Sequence, residues 1–221
     1  MRTSLHSIRH PVVAPDAFVA PNASVVGRVA LGSKSSVWYG AVIRGDLNTV
    51  TIGQYSSVQD RAVIHTAASV EGHVEANTVI GNYVTVGHGA LLQSCTVQDY
   101  AVIGAGAVVM EGALVETYAK VGEGAVIHPG RRIPSGQLWE GNPAVFVREL
   151  TKTEKAEAGG HADETALTAE EHSEEFLPYT TAYRQAETLG LEELDGHLKK
   201  IKRKHEERMI EEKDVQQKKL A

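Results

Sequence analysis

The sequence predicts an all-β chain: a parallel β-helix with a helical extension at its C-terminal end. Three observations carry that prediction. Aliphatic residues recur every sixth position along Val13, Val19, Val25, Leu31, Val37 and Ile43, and the series resumes further on. A small residue follows four places after most of them, as at Ala17, Ala23, Ser35 and Ser56. Aromatic residues are only 5 % of a chain that is 42 % hydrophobic, so the core is built from thin aliphatic layers. Neither a helical period nor simple strand alternation gives a spacing of six. Stacked coils of a β-helix do.

Taken in order, residues 1–11 form an N-terminal segment, MRTSLHSIRHP, basic and without acids. It has the composition of a frayed end or of a remnant targeting segment. The coils occupy residues 12–142. Their phase runs unbroken to Ile43, slips by three residues, and resumes at Ile52, Val58 and Ile64. A longer insertion, Thr66 to Val79, precedes Ile80, Val86 and Leu92. One residue then drops out, and Val97, Ile103, Val109, Val115, Val121, Ile127 and Ile133 complete the ladder. The aliphatic points inward and the small residue lets the chain bend, so three hexads close a triangular coil of about 18 residues. Coils stack at about 4.8 Å. The flat walls of such a prism favour lateral association into an oligomer.

Beyond the coils, residues 143–150 read as a short exit helix. Residues 151–175, rich in Glu, Ala, Thr and Gly around Gly159-Gly160, read as an exposed acidic linker. Residues 176–221 read as the helical extension. In it, Phe176, Leu177, Tyr179 and Tyr183 suit packing on a prism wall. Leu191, Leu194, Leu198 and Ile201 give one apolar stripe. The mixed-charge continuation reads as a solvated helix, with docking on a partner or an anionic lipid surface as the other reading.

A formal charge of −6 argues against a nucleic-acid protein. Cys95 is the only cysteine, so no intrachain disulfide forms. No apolar run reaches the ~18 residues of a membrane span.

Treating the coils as columns places the polar residues. Arg44, His65 and Gln93 each follow a ladder residue (Ile43, Ile64, Leu92) by one place, so they stack along one edge. Asp60 and His88 follow Val58 and Val86 by two places and share a different column. His88 therefore stands on another face and reaches His65 and Gln93 only across a boundary between subunits. Imidazoles plus a water make an open tetrahedral zinc site. The bland reading, a surface or internally satisfied side chain, is kept for His6, His10, His73, His161, His172, His197 and His205, and His128 reads as a solenoid-end residue. Gly104 and Gly106 are corner residues, since no strand-to-helix switch makes them a phosphate loop.

The order Arg44-Gly45-Asp46, Gln59-Asp60, Val63-Ile64-His65 and Val86-Gly87-His88 resembles the γ-class carbonic anhydrases of the hexapeptide-repeat superfamily. The resemblance covers about residues 12 to 150 and ends with RRIPSGQLWEGNPAVFVREL. It implies a left-handed β-helix, a trimer, and zinc at each subunit boundary with two ligands from one subunit and the third from its neighbour. His65 and His88 match two of the zinc ligands, serving different boundaries. Arg44 and Asp46 match the interfacial arginine and aspartate, and Gln59 and Asp60 the pair that orients the ligands. At the remaining position the family's VGHxxxxHGC stands here as VGHGALLQSC, so Gln93 replaces a histidine. Zinc prefers N and S donors to an amide oxygen, so a homotrimer is expected to be catalytically impaired.

An incomplete ligand set with a long charged extension is similar to the γ-carbonic anhydrase-like subunits of complex I in mitochondria of plants and green algae. That resemblance implies a heterotrimer of homologous subunits on the membrane arm, at the matrix side of the inner membrane, with a mainly structural role. Two other readings stay open. One is a free-standing zinc-dependent γ-carbonic anhydrase hydrating CO₂, against which Gln93 counts. The other is a hexapeptide-repeat acyltransferase with a histidine base at the subunit boundary, which the Arg-Gly-Asp and Gln-Asp motifs disfavour.

Overall fold

In a computed structural model the described residues are 10–69 and 76–180, with side chains as far as 173. The chain divides into two units, Met1–Glu170 and Glu171–Ala221. The first is a parallel β-solenoid of about seven turns. Most strands are two or three residues long, because each side of a coil spends its remaining residues on a corner.

The strands fall into three stacks, all parallel within the solenoid. The first runs through Ser24–Leu31, Val42–Ile52, Val63–His65, Leu91–Gln93, Val108–Val109 and Val126–Ile127. The second takes Val12–Val13, the far halves of the two long strands, Thr78–Ile80, Thr96–Val97, Leu114–Val115 and Arg132–Ile133. The third takes Phe18–Val19, Ser36–Val37, Ser57–Val58, Thr85–Val86, Val102–Ile103, Lys120–Val121 and Gln137–Glu140. From Leu31 to Ile133 every ladder residue is at most 4 % exposed. Each such side chain stabilises the fold by about 1.5–3 kcal/mol. Val13, at the open end of the stack, is exposed.

The three-residue slip falls within Val42–Ile52, which carries three more residues than Ser24–Leu31 between the pairs Gly27–Gly45 and Val29–Val50, and both long strands turn the corner without breaking. A Cβ on Gly27 (φ 87°) would run into the Gly45 carbonyl, so only glycine lets these backbones pass. Beyond the corner Val29 pairs with Val50, and both are buried, adding a rung that counting by six does not place.

The corner before the third stack carries Tyr55, Tyr83, Tyr100 and Tyr118, all with positive φ. Their rings stack in series with centroids 4.9 Å apart. That is the strand spacing itself, so the ring column follows from the coil repeat. Stacking offsets the cost of left-handed backbone at a bulky residue.

Two segments differ from the sequence expectation. Residues 143–150 are not an exit helix: Val145–Glu149 is a strand, antiparallel to Gln137–Glu140. The run Val145-Phe146-Val147 suits a strand, and the Phe146 ring meets Trp139 edge-on, with Arg131 over the same indole. Residues 151–175 are not a linker either, because helix α1 spans Lys152–Thr180. Thr151 caps it. Glu154 N donates to Thr151 Oγ1 at 3.3 Å, while Glu154 Oε2 accepts from Thr151 N at 2.8 Å. That reciprocal pair is a capping box. Ala162, Ala166 and Ala169 are buried, and Ala169 joins Phe18, Ala20 and Trp38 in one cluster. Gly159 faces the Tyr100 ring, where an added Cβ would sit in ordinary van der Waals contact at 3.6 Å. The helical part thus begins at Lys152 and not at 176. The side chains of Phe176, Leu177 and Tyr179, all of Tyr183, the stripe from Leu191 to Ile201 and residues 1–9 lie outside the described residues. Among the described residues no helix is long and apolar enough to cross a membrane.

Candidate metal centre

Arg44, His65 and Gln93 take one register position on three adjacent strands. Arg44 pairs with His65, and His65 pairs with Gln93. Their ladder neighbours Ile43, Ile64 and Leu92 are fully buried. Side chains alternate along a strand, so the next residue of each projects outward. His65 and Gln93 are half-buried and Arg44 is exposed. Arg44 Nη2 donates to Asp46 Oδ2 at 2.6 Å, and Asp46 Oδ1 accepts from Leu47 N at 3.1 Å. The Arg44 guanidinium holds the Asp46 carboxyl below the usual carboxylate range. Arg28 Nη2 donates to the Leu47 carbonyl and braces the same corner. Within one chain, then, Arg44 and Asp46 bind each other.

The second column, Asp60 and His88, sits in the turns that follow strands of the third stack. Val58 pairs with Val86, and at the following corner Gly89 N donates to the Asp60 carbonyl at 2.8 Å. Asp60 Oδ1 accepts from Tyr39 N at 3.0 Å, and Gln59 Nε2 donates to Ser57 Oγ at 3.4 Å. Gln59 and His88 line an open cleft of about 940 Å³, bordered by Trp38 and by His161 and Glu164 of α1. His65 and Gln93 are not in its lining. The two histidines therefore stand apart on one prism, His65 on a strand of the first stack and His88 at the corner that follows the third. Among the described residues no three of His, Cys, Asp and Glu converge within the chain.

His65 and His88 are the nitrogen donors that zinc prefers. Gln93 does not fit that role, and its amide is already engaged: Nε2 donates to Glu111 Oε2 at 3.1 Å. Glu111 was not among the residues the sequence singled out. It lies 18 residues after Gln93, about one coil on, and that spacing was its only signal. Ser94 follows Gln93 where the motif has glycine, and it keeps a positive φ of 43°. The Ser94 hydroxyl accepts from Ala67 N at 2.7 Å and donates to the Ala76 carbonyl at 2.9 Å. Thr78 Oγ1 donates to the His65 carbonyl at 3.0 Å, and Asn48 Nδ2 donates to the Ala67 carbonyl at 2.7 Å. Both ends of the inserted segment are thereby pinned beside His65.

No family model matches the chain. It is 41 % identical over 195 residues to gamma carbonic anhydrase 1, mitochondrial, of Arabidopsis thaliana, covering 85 % of this chain and 70 % of that protein. It is 49 % identical over 177 residues to gamma carbonic anhydrase-like 1, mitochondrial, of the same plant, covering 80 % and 70 %. Among solved structures, a hexapeptide transferase family protein from Anaplasma phagocytophilum aligns with a TM-score of 0.67 and 35 % identity, over 72 % of this chain and 90 % of that one. The solenoid and these likenesses define a hexapeptide-repeat protein. More narrowly, the chain belongs to the γ-carbonic anhydrase family.

Proposed function

We propose that the chain is a γ-carbonic anhydrase-like subunit of a matrix-exposed heterotrimer on the membrane arm of mitochondrial complex I (NADH:ubiquinone oxidoreductase), acting mainly in assembly and structure. The observation that carries this reading is Gln93. It stands in register beside His65, and its amide nitrogen is taken up by Glu111. A self-sufficient enzyme of this family needs an imidazole there. The mitochondrial relatives, of both the carbonic anhydrase and the carbonic anhydrase-like kind, support the location and the homologous partners.

In this reading His65 and His88 serve zinc sites at different subunit boundaries, and Gln93 marks the lost ligand. Arg44 and Asp46 shape the boundary, while Gln59 and Asp60 support the histidines from within. Zinc, where held, would lower the pKa of a bound water toward 7. Contact with the membrane is peripheral. The test is the size and composition of the native assembly. The tagged chain, purified from mitochondria in mild detergent, should bring down homologous chains and membrane-arm subunits. A particle made only of this chain would overturn the proposal.

A further inference from the structure

We infer that Glu111 is the positioning residue for position 93, and that it preserves the setting of a zinc ligand the chain no longer carries. The inference rests on the family reading of the site given above. A carboxylate only accepts hydrogen bonds, so Gln93 has to turn its NH₂ end to Glu111, which it does at 3.1 Å. The carbonyl Oε1 is left as the free end. Gln98, on another corner, does the reverse: its Oε1 accepts from Thr117 N at 3.1 Å. The end presented is thus set by the partner: a carboxylate for Gln93, a backbone N–H for Gln98.

The backbone under both residues is fixed. Leu92 pairs with Val109, and neither is exposed at all. The Glu111 carbonyl accepts from Gly130 N at 2.9 Å, tying that corner to the next coil. A histidine at position 93 would find the same acceptor within reach of its ring N–H. Zinc-bound imidazoles characteristically give their second N–H to a carboxylate or carbonyl, which fixes the tautomer and the ring plane. Glu111 therefore supplies to position 93 what a ligating histidine needs, and the Gln93 amide now occupies it. The half-site of this chain becomes one imidazole nitrogen, from His65, and one amide oxygen, from Gln93. A single substitution separates it from a pair of imidazoles.

The experiment compares the parent chain with Gln93→His, Glu111→Ala and the two combined, each full length and checked for its oligomeric state. Zinc affinity is read by competition with a chromophoric chelator. Visible absorption of the Co²⁺-loaded protein is the second readout, since band intensity separates four-coordinate from six-coordinate metal. Gln93→His should tighten zinc by at least tenfold, and adding Glu111→Ala should take back about 10–100-fold. Glu111→Gln in the Gln93→His background keeps an acceptor without the charge and should lose less than Ala does. It also carries the test if the Ala variant fails to assemble. A Gln93→His gain that neither Glu111 variant diminishes would overturn the role of Glu111 and leave the family reading standing. No gain from Gln93→His in a properly assembled protein would overturn the family reading at position 93, and the inference with it.

Discussion

Gln93 and His65 are backbone partners on adjacent strands, although an inserted segment separates them in sequence. In the proposed reading their side chains make up one half-site, one imidazole and one amide, and the amide is held by Glu111. The purified chain on its own should therefore show negligible CO₂ hydration. Stopped-flow assays with a pH indicator, in zinc-supplemented buffer, measure this directly. A homotrimer working at the rate of a full family member would rule the reading out.

The start of α1 gives an acid-sensitive point. Arg148 reaches both oxygens of Glu154, at 2.9 and 2.7 Å, and Thr151 adds two hydrogen bonds. Arg148 first, then Thr151, holds the Glu154 carboxyl down at about 2 from an ordinary 4.5. The folded value lies below the unfolded one. The contribution is thus fully present above about pH 4.5 and is lost as pH falls toward 2. It is a surface pair, so added salt should weaken it. Glu154→Gln should flatten the pH dependence of the melting temperature in that window, and Thr151→Ala should cost about 1 kcal/mol. Identical melting-versus-pH curves for the parent and Glu154→Gln would show that the pair does not hold the helix.

The ladder was legible in the sequence because the interior of a coil admits only an aliphatic at each inward position. Once Ile43, Ile64 and Leu92 were aligned, the register of Arg44, His65 and Gln93 followed by counting. Helix α1 was not legible from composition, since its acids and Gly159-Gly160 resemble a solvated tether. Its signals were positional: the Thr151…Glu154 box and the small face Ala162-Ala166-Ala169. The strand Val145–Glu149 escaped because its partner Gln137–Glu140 is the last rung of the solenoid, and a return onto that rung is a tertiary event. The bond from Gln93 to Glu111 escaped for a related reason. Counting coils brings two residues near each other but does not say which polar ends meet.

Cys95 reports on the solenoid independently. It is 1 % exposed, and burial pushes its thiol up to about 12. A thiol that is buried and protonated is inert, so a thiol-labelling reagent should modify it only after unfolding. Ending the chain at Glu149 removes α1, which uncovers Phe18, Trp38 and Tyr100 but takes away no rung. The truncated protein should melt at a lower temperature yet keep Cys95 protected and the oligomer intact. Labelling at the rate of the denatured chain would show that the prism depends on α1.

In a heterotrimer this chain should complete a partner's metal site while failing to complete its own. His88 sits in the turn that follows Thr85–Val86 of the third stack, and His65 and Gln93 end strands of the first, so in the proposed assembly each boundary would draw one ligand from one chain and two from the next. A homologous partner with histidines at both ladder positions would supply two imidazoles, and His88 from this chain would be the third. At the opposite boundary His65 and Gln93 would face a single partner histidine, giving two imidazoles and an amide oxygen, a poorer set for zinc. Metal should therefore concentrate at the first boundary. His88→Ala leaves the aliphatic rungs untouched, since Val86 and Ile103 beneath that corner are fully buried and unaltered. The variant complex should keep its mass and lose the zinc of that one boundary, as read by elemental analysis of the purified particle. His65→Ala should change the total far less. Equal zinc in the parent and His88→Ala complexes would show that His88 is not a ligand.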